Sequence, residues 1–407
     1  MRQKRIAILS WSLYDFANSI FSVNILSLYF PLWIVVTQSG KDFLYGFVVS
    51  ASLLTVALGG PLAGAISDRK GKRQPFLIFF TLTAIFFTFF LNKGGLYGGL
   101  FLFFLANFSY QISGIFYNTL LKEVAKTENV GSISGYGVAF GYLGAISSLL
   151  IVRPLVEKGG YEASFIPTAL LYLIFALPCF FFVKESPRLK REESFSIIEV
   201  QKKIFETLKK LKESRGFISF FITYFLATNA ISAVTAFMAI YVKKVVGLMD
   251  EEMNTLFILS TIFAAIGALI SGKLGDKIGH KQTIGFILII WCLVIILALF
   301  ATSRSVYLLL GPLVGLCLGV WGVARALGLI IAPPEKIGEF FGLYAFAGKS
   351  AEVLGPLVWG LIAFLLQDFG ILKYRLALLG VLLFFIGSLI ALRWIPDTKA
   401  QNKDKRE

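Results

Sequence analysis

The sequence predicts an all-α polytopic membrane protein, with twelve transmembrane helices arranged as two pseudo-symmetric six-helix bundles. Three observations carry this expectation. Of the 407 residues, 57% are hydrophobic and 15% charged, and the mean hydropathy is +0.78. That is more apolar surface than one soluble core can hide. Long apolar runs recur, among them Pro75 to Leu91, Ile166 to Val183, Thr283 to Phe300 and Leu376 to Leu392, and each is long enough to cross a hydrocarbon core as a helix. A polar loop that follows the second run returns after the eighth. Lipid gives the backbone nothing to bond, and the alternating pattern of a β-barrel is absent, so the spans must be helices.

Span one is read as 7 to 36. It follows Arg2, Lys4 and Arg5 like a signal peptide, but runs on without a small-residue cleavage pattern, so it is read as an uncleaved span. Trp11, Asp15, Asn18 and Ser22 form a polar stripe at helical spacing along it. Span two, 43 to 66, contains Gly60 and Gly64, and span three, 74 to 92, is nearly pure hydrocarbon. Span four, 97 to 121, carries Asn107, Gln111 and Asn118. Span five, 131 to 152, carries Gly137 and Gly141 and ends at Arg153-Pro154, where the arginine either guards an external gate or snorkels to the interface. Span six, 164 to 184, is again featureless.

The longest polar interval, 185 to 216, separates the halves, giving bundles at 1–184 and 217–396 and a tail at 397–407. Within it Ile197, Val200, Ile204, Leu208 and Leu211 recur at helical spacing among lysines, as in a helix lying on anionic headgroups. Span seven, 217 to 241, shows a stripe of Tyr224, Thr228, Ser232 and Thr235. Span eight is 254 to 274, and span nine, 281 to 301, is apolar. Span ten, 305 to 332, carries Gly311, Gly315, Gly319 and Arg325; span eleven, 339 to 366, carries Lys349 and Glu352; span twelve is 375 to 394. The glycines are expected to let helices approach closely.

The net charge is +15, a value that would also suit a nucleic-acid partner. Its distribution argues otherwise. With both termini inside, inside segments hold 28 of the 39 Lys and Arg and outside loops hold 9, the bias that places both termini in the cytoplasm. No nucleic acid is therefore expected as a partner. Cys179, Cys292 and Cys317 stand alone in apolar segments, and His280 is the single histidine, so no metal, cofactor or catalytic constellation is visible and an enzyme is not expected.

The repeated loop reads Gly64, then Asp68-Arg69-Lys70-Gly71-Lys72-Arg73; its second copy reads Gly272, then Asp276-Lys277-Ile278-Gly279-His280-Lys281. Each aspartate sits where a helix ends. The helix dipole disfavours an anion there, so a neighbouring helix N-terminus or a cation is expected to hold it. Two such loops in matching positions of two halves resemble the signature loop of the major facilitator superfamily. The resemblance implies two six-helix bundles rocking about a site lined by spans one, four, seven and ten, with the two loops as gating elements.

A closer resemblance rests on Trp11-Ser-Leu-Tyr14-Asp15-Phe-Ala17-Asn18-Ser19-Ile-Phe21 with Phe30-Pro31, on Tyr117-Asn118 with Glu123-Val-Ala125, on Ser134-Gly135 with Gly141-Tyr142-Leu143-Gly144, and on Glu339-Phe-Phe-Gly342-Leu-Tyr344 with Gly348-Lys349 and Gly355-Pro356. These stretches resemble the subfamily of fungal autophagy-related vacuole effluxers and their bacterial relatives. Arg325, eight residues before Pro333, also matches; Trp321 and Ile330 replace a glutamine and a basic residue of the pattern. The resemblance implies amino-acid efflux.

Four ionisable residues fall well inside spans: Asp15, Arg325, Lys349 and Glu352. Each costs about 2.5 to 3.5 kcal/mol on insertion scales, so a partner or a water-filled cavity is expected. Lys349 and Glu352, three apart on one helix, can neutralise each other. Alternatively, Arg325 and Lys349 attract a substrate carboxylate and Asp15 an ammonium group, with Asn18 and Asn118 fixing orientation and Asn107, Gln111, Tyr224 and Thr228 completing the lining. Asp15 and Glu352 are the carboxylates within spans that could carry a coupling proton; a hydrated cap near Trp11 and Tyr14 is the plainer reading of Asp15. The expectation is a monomeric secondary transporter in the cytoplasmic membrane, partnered by lipid and a small-molecule substrate, which exports a polar or zwitterionic metabolite by alternating access. An amphiphile such as a drug or lysolipid is the alternative cargo, and a non-transporting receptor the reading outside that class.

Overall fold

A computed structural model describes residues 2–40, 42–186, 215–301 and 303–396. The amphipathic helix expected around Ile197 to Leu211 and the tail at 397–407 lie outside the described residues. Among these, every regular element is a helix. Eleven helices are long and apolar enough to cross a membrane, and a twelfth apolar helix is shorter. The protein forms two compact units, Met1–Ile204 with Ala332–Phe346, and Phe205–Ile331 with Ala347–Glu407.

In the first unit, α1 (Arg2–Phe21) passes into a π-helical segment, Ser22–Leu28, a single α-turn, α2 (Tyr29–Leu32), and a second π segment, Trp33–Thr37. Pro31 gives the irregularity a physical basis. In the π pattern Tyr29 N–H bonds to Asn24 O, five residues back, and Pro31, two residues further on, has no N–H to offer Leu26. The Leu26 carbonyl instead accepts a hydrogen bond from the Tyr45 hydroxyl.

The unit continues with α3 (Asp42–Lys70), α4 (Gln74–Phe89), α5 (Gly95–Val124), α6 (Val130–Gly159) and α7 (Phe165–Phe182). The short helix is α4, which stops at Phe89 rather than at the expected Asn92. Gly94 and Gly95 then turn the chain with φ of +89° and +62°, a conformation that costs glycine nothing. By contrast α6 runs past Pro154 to Gly159, a turn and more beyond its expected end.

Helix α1 lies against α6 and α7. Its contact with α6 is backbone to backbone, since a Cβ on Gly144 would fall 2.4 Å from Phe16 O. Around it Trp11 stacks on Tyr117 at 4.6 Å and Tyr14 on Tyr117 at 4.9 Å, with Trp11 Nε1 donating to Tyr117 O at 3.2 Å. Trp11 and Tyr14, beside the half-buried Asp15, are fully buried; aromatic area and a satisfied indole N–H make them core.

The second unit contains α8 (Arg215–Tyr241), α9 (Asp250–Ile278), α10 (His280–Phe300), α11 (Arg304–Cys317), α12 (Val320–Ile331) and α14 (Leu372–Leu392). Helix α13 (Ile337–Leu365) gives its first residues to the first unit and the rest to the second. Helix α8 packs on α14, and α9 on α11. Cβ atoms on Gly315 and Gly319 would fall 2.2 Å from Ser260 O and 2.4 Å from Gly267 O, so the glycines of span ten are what let α9 come so close. Span ten, expected as one helix, is two. The break falls at Leu318-Gly319, where the Ser271 hydroxyl donates to Gly267 O at 2.6 Å and Gly319 O at 3.0 Å and so satisfies a carbonyl freed by the break.

Candidate substrate face and cytoplasmic loops

The polar residues expected to line a cavity divide into two sets by burial. Asn107 and Gln111 are buried between helices of the first unit: Asn107 Nδ2 donates to Ser52 Oγ at 2.6 Å, and Gln111 Nε2 to Asn107 Oδ1 at 3.4 Å. These bonds join α3 to α5. Asp15, Asn18 and Asn118 are half-buried instead, as are Ser22 and Tyr110. On α5 the half-buried residues Tyr110, Gly114 and Asn118 recur every four positions and form one strip. A Cβ on Gly114 would meet nothing within 4 Å, so this face has open space at its centre. Asn18 is oriented by the Tyr172 hydroxyl, which donates to its Oδ1 at 2.9 Å.

In the second unit Tyr224 packs edge-on against Trp321 at 6.3 Å, and its hydroxyl lies 2.8 Å from where Gly348 would carry a Cβ. A small apolar cavity sits here, lined by Phe220, Thr223, Tyr224, Ala227, Trp321 and Ala324. Thr228 is buried and its hydroxyl has no hydrogen-bond partner. Arg325 is also buried, with 6% of its surface exposed, and so does not present its guanidinium openly.

Lys349 and Glu352 do come together. Lys349 Nζ bonds both carboxylate oxygens at 2.9 and 2.7 Å. The pair is only partly covered, with side chains 24% and 46% exposed, near the middle of the 29-residue α13. Charge left uncovered at that depth cannot face hydrocarbon without a cost of several kcal/mol, so it faces water.

The first signature loop is built around Asp68. Its Oδ1 accepts from Arg73 Nε at 3.1 Å and from Arg73 Nη2, and its Oδ2 accepts the Glu339 backbone N–H in the first turn of α13 at 3.0 Å. The anion is thus answered by both a cation and a helix N-terminus. Gly64 makes this possible, because a Cβ there would fall 2.2 Å from Gly338 O. Gly71 takes the turn with φ +64°, and Arg69 is half-buried beside it. In the second loop Asp276 Oδ1 lies 3.5 Å from His280 Nε2, and Gly279 turns with φ +111°. Gly272 is buried and Lys277 exposed.

Two polar anchors went unrecognised in the sequence. Glu185 accepts the backbone N–H groups of Arg73 at 2.8 and 2.9 Å and of Gln74 at 3.0 Å, which caps α4. The signal was available: Arg73-Gln74-Pro75 opens a helix without an Asp, Asn, Ser or Thr to cap it. Fully buried Asn24 donates to Ser148 Oγ at 2.7 Å and Thr168 Oγ1 at 2.9 Å, tying three helices through partners too distant in sequence to foresee. Arg153 is 75% exposed and pairs with Glu157 one turn on at 2.8 Å, the arrangement of a side chain that snorkels to the interface. Arg153→Ala should therefore leave the thermal midpoint unchanged within error, as is usual for exposed pairs; a clear drop would mean that it holds the outer end of α6.

Comparison with known proteins agrees with this architecture. The family described as "Vacuole effluxer Atg22 like" matches residues 121–405. An uncharacterised major facilitator superfamily-type transporter, YxiO of Bacillus subtilis, is 24% identical over 98% of this chain and 96% of its own length. The multidrug resistance protein MdtG of Salmonella paratyphi A is 26% identical over 88% of each. Among solved structures, a bacterial homologue of the iron transporter ferroportin in an outward-facing state superposes with a TM-score of 0.77, at 15% identity over 97% of this chain and 99% of that one. FucP, a major facilitator superfamily transporter in the outward conformation, gives 0.72, at 15% identity over 97% and 98%. The fold is that of this superfamily.

Proposed function

The chain belongs to the Atg22-like vacuole effluxer family and is a major facilitator superfamily transporter embedded in membrane, and from that premise we propose that it exports small polar or zwitterionic metabolites, amino acids foremost. The observation that carries this reading is the half-exposed Lys349–Glu352 pair in the middle of an apolar helix. It marks a wetted path suited to polar cargo. The half-buried Asp15, Asn18 and Asn118 of the first unit, and Tyr224 of the second, supply the donors and acceptors that such cargo needs. The transporter works by alternating access, as a monomer in the cytoplasmic membrane with both termini in the cytoplasm, and Asp15 and Glu352 are the candidates for coupling to protons.

The test is thermal stabilisation of the purified protein by a panel of amino acids, organic acids, amines and lipids. A ligand at 100 times its dissociation constant should add about 2.7 kcal/mol. Stabilisation by amino acids is expected in the wild type and should be lost in Lys349→Ala; stabilisation by lipids or hydrophobic cations alone would sink the proposal. A second reading, drug efflux, is favoured by the likeness to MdtG, and the paired rings of Tyr224 and Trp321 would serve it.

A further inference from the structure

The buried asparagines Asn24, Asn107 and Asn229 spend their amide nitrogens on the protein. Asn24 Nδ2 donates to Ser148 and Thr168, Asn107 Nδ2 to Ser52, and Asn229 Nδ2 to Phe225 O at 2.8 Å. The half-buried Asn18 is engaged the other way round. Its Oδ1 accepts the Tyr172 hydroxyl at 2.9 Å. Among the described residues its Nδ2 has no hydrogen-bond partner, and it is not wholly enclosed. An unbonded amide nitrogen is costly to leave against hydrocarbon, so it looks to water or to cargo. The hydroxyl that sets this polarity is firmly held. Tyr172, fully buried on α7, has Tyr14 and Tyr110 edge-on at 6.4 and 6.5 Å and Phe21 at 5.9 Å. Tyr14 is pinned in turn by Thr81, 2.5 Å from its own hydroxyl. Tyr110 belongs to the half-buried strip on α5, so the ring that turns Asn18 stands against that strip.

We propose that Tyr172 is a positioning residue that sets the specificity of the cargo face: by occupying the Asn18 oxygen it makes Asn18 a donor, directed at the carboxylate of an amino acid or organic acid. This rests on the export reading above and assigns, within it, the group of the cargo that α1 holds. An asparagine free to turn offers its oxygen to an ammonium group or its nitrogen to a carboxylate. One whose oxygen is already bonded offers N–H groups alone, and these bond an anion about twice as strongly as a neutral acceptor. Phenylalanine at position 172 would keep the ring and its packing and lose only this control over the amide.

The experiment measures the affinity of the purified full-length protein for the common amino acids, their decarboxylated amines and their deaminated acids, from the shift each gives to the unfolding midpoint. Asn18→Ala should weaken the amino acids and the acids by about ten-fold, the size of one hydrogen bond to a charged group, and leave the amines unchanged. Asn18→Asp keeps an acceptor for Tyr172 but turns an anion outward, so it should weaken the same two classes further and tighten the amines. Tyr172→Phe should lower the ratio of acid to amine affinity by about three-fold, whereas a purely structural tyrosine would weaken all three classes alike. Equal losses for acids and amines in Asn18→Ala, or no loss, would overturn the proposal and leave the export reading standing, and so would a Tyr172→Phe protein with the wild-type ratio. The Asn18 variants can overturn it even if Tyr172→Phe does not fold. A wild type that binds none of the amino acids or acids would sink amino-acid export, and this assignment with it.

Discussion

Asp68→Asn should cost about 3 kcal/mol of stability, because removing one partner of a buried pair leaves the other charge uncompensated. Arg73 is that partner, with 1% of its side chain exposed. The same change also halves the claim on the Glu339 N–H, so the start of α13 should loosen with it. Asp276→Asn should cost less, about 1 kcal/mol or under, since the His280 ring lies 3.5 Å from its carboxylate without a hydrogen bond. Thermal unfolding of the two variants side by side checks this; equal losses would mean that the loops are electrostatically equivalent and that Arg73 is not the reason the first one holds.

The second large effect concerns glycine. Gly144→Ala would place a methyl group 2.4 Å from Phe16 O, and since neither helix backbone can yield locally, the overpacking should cost about 1 to 3 kcal/mol. Gly114→Ala makes the same chemical change on α5 where nothing lies within 4 Å. It should leave the unfolding midpoint unmoved or slightly raised, given alanine's better helix propensity. Comparable losses at both positions would show that glycine serves the helices in some way other than by close approach.

Much of this architecture was legible because lipid imposes a simple rule: spans must be long, apolar and helical. The expectation that each loop aspartate needs a cation or a helix N-terminus came from the helix dipole alone, and at Asp68 both are present. What could not be read were partners brought together by packing. Asn24 looks like one more polar residue in span one until Ser148 and Thr168 are seen beside it. The division of Asn107 and Gln111 from Asn118 was equally hidden, because helical spacing identifies a face of α5 but not what covers it. The break in span ten had a local cue in Gly319, yet glycines that loosen a helix and glycines that tighten a contact look alike in sequence. Here Gly319 does both.

The central claim, that polar metabolites cross through the face around Gly114, is tested most directly by efflux from proteoliposomes loaded with a mixture of labelled amino acids. Selected amino acids should leave faster than from protein-free vesicles, and Gly114→Leu, which builds a side chain out from a position where a Cβ meets nothing within 4 Å, should stop them while the protein stays folded. Amino acids that leave no faster than from protein-free vesicles, while a hydrophobic cation is carried, would contradict the account and assign the chain to drug efflux.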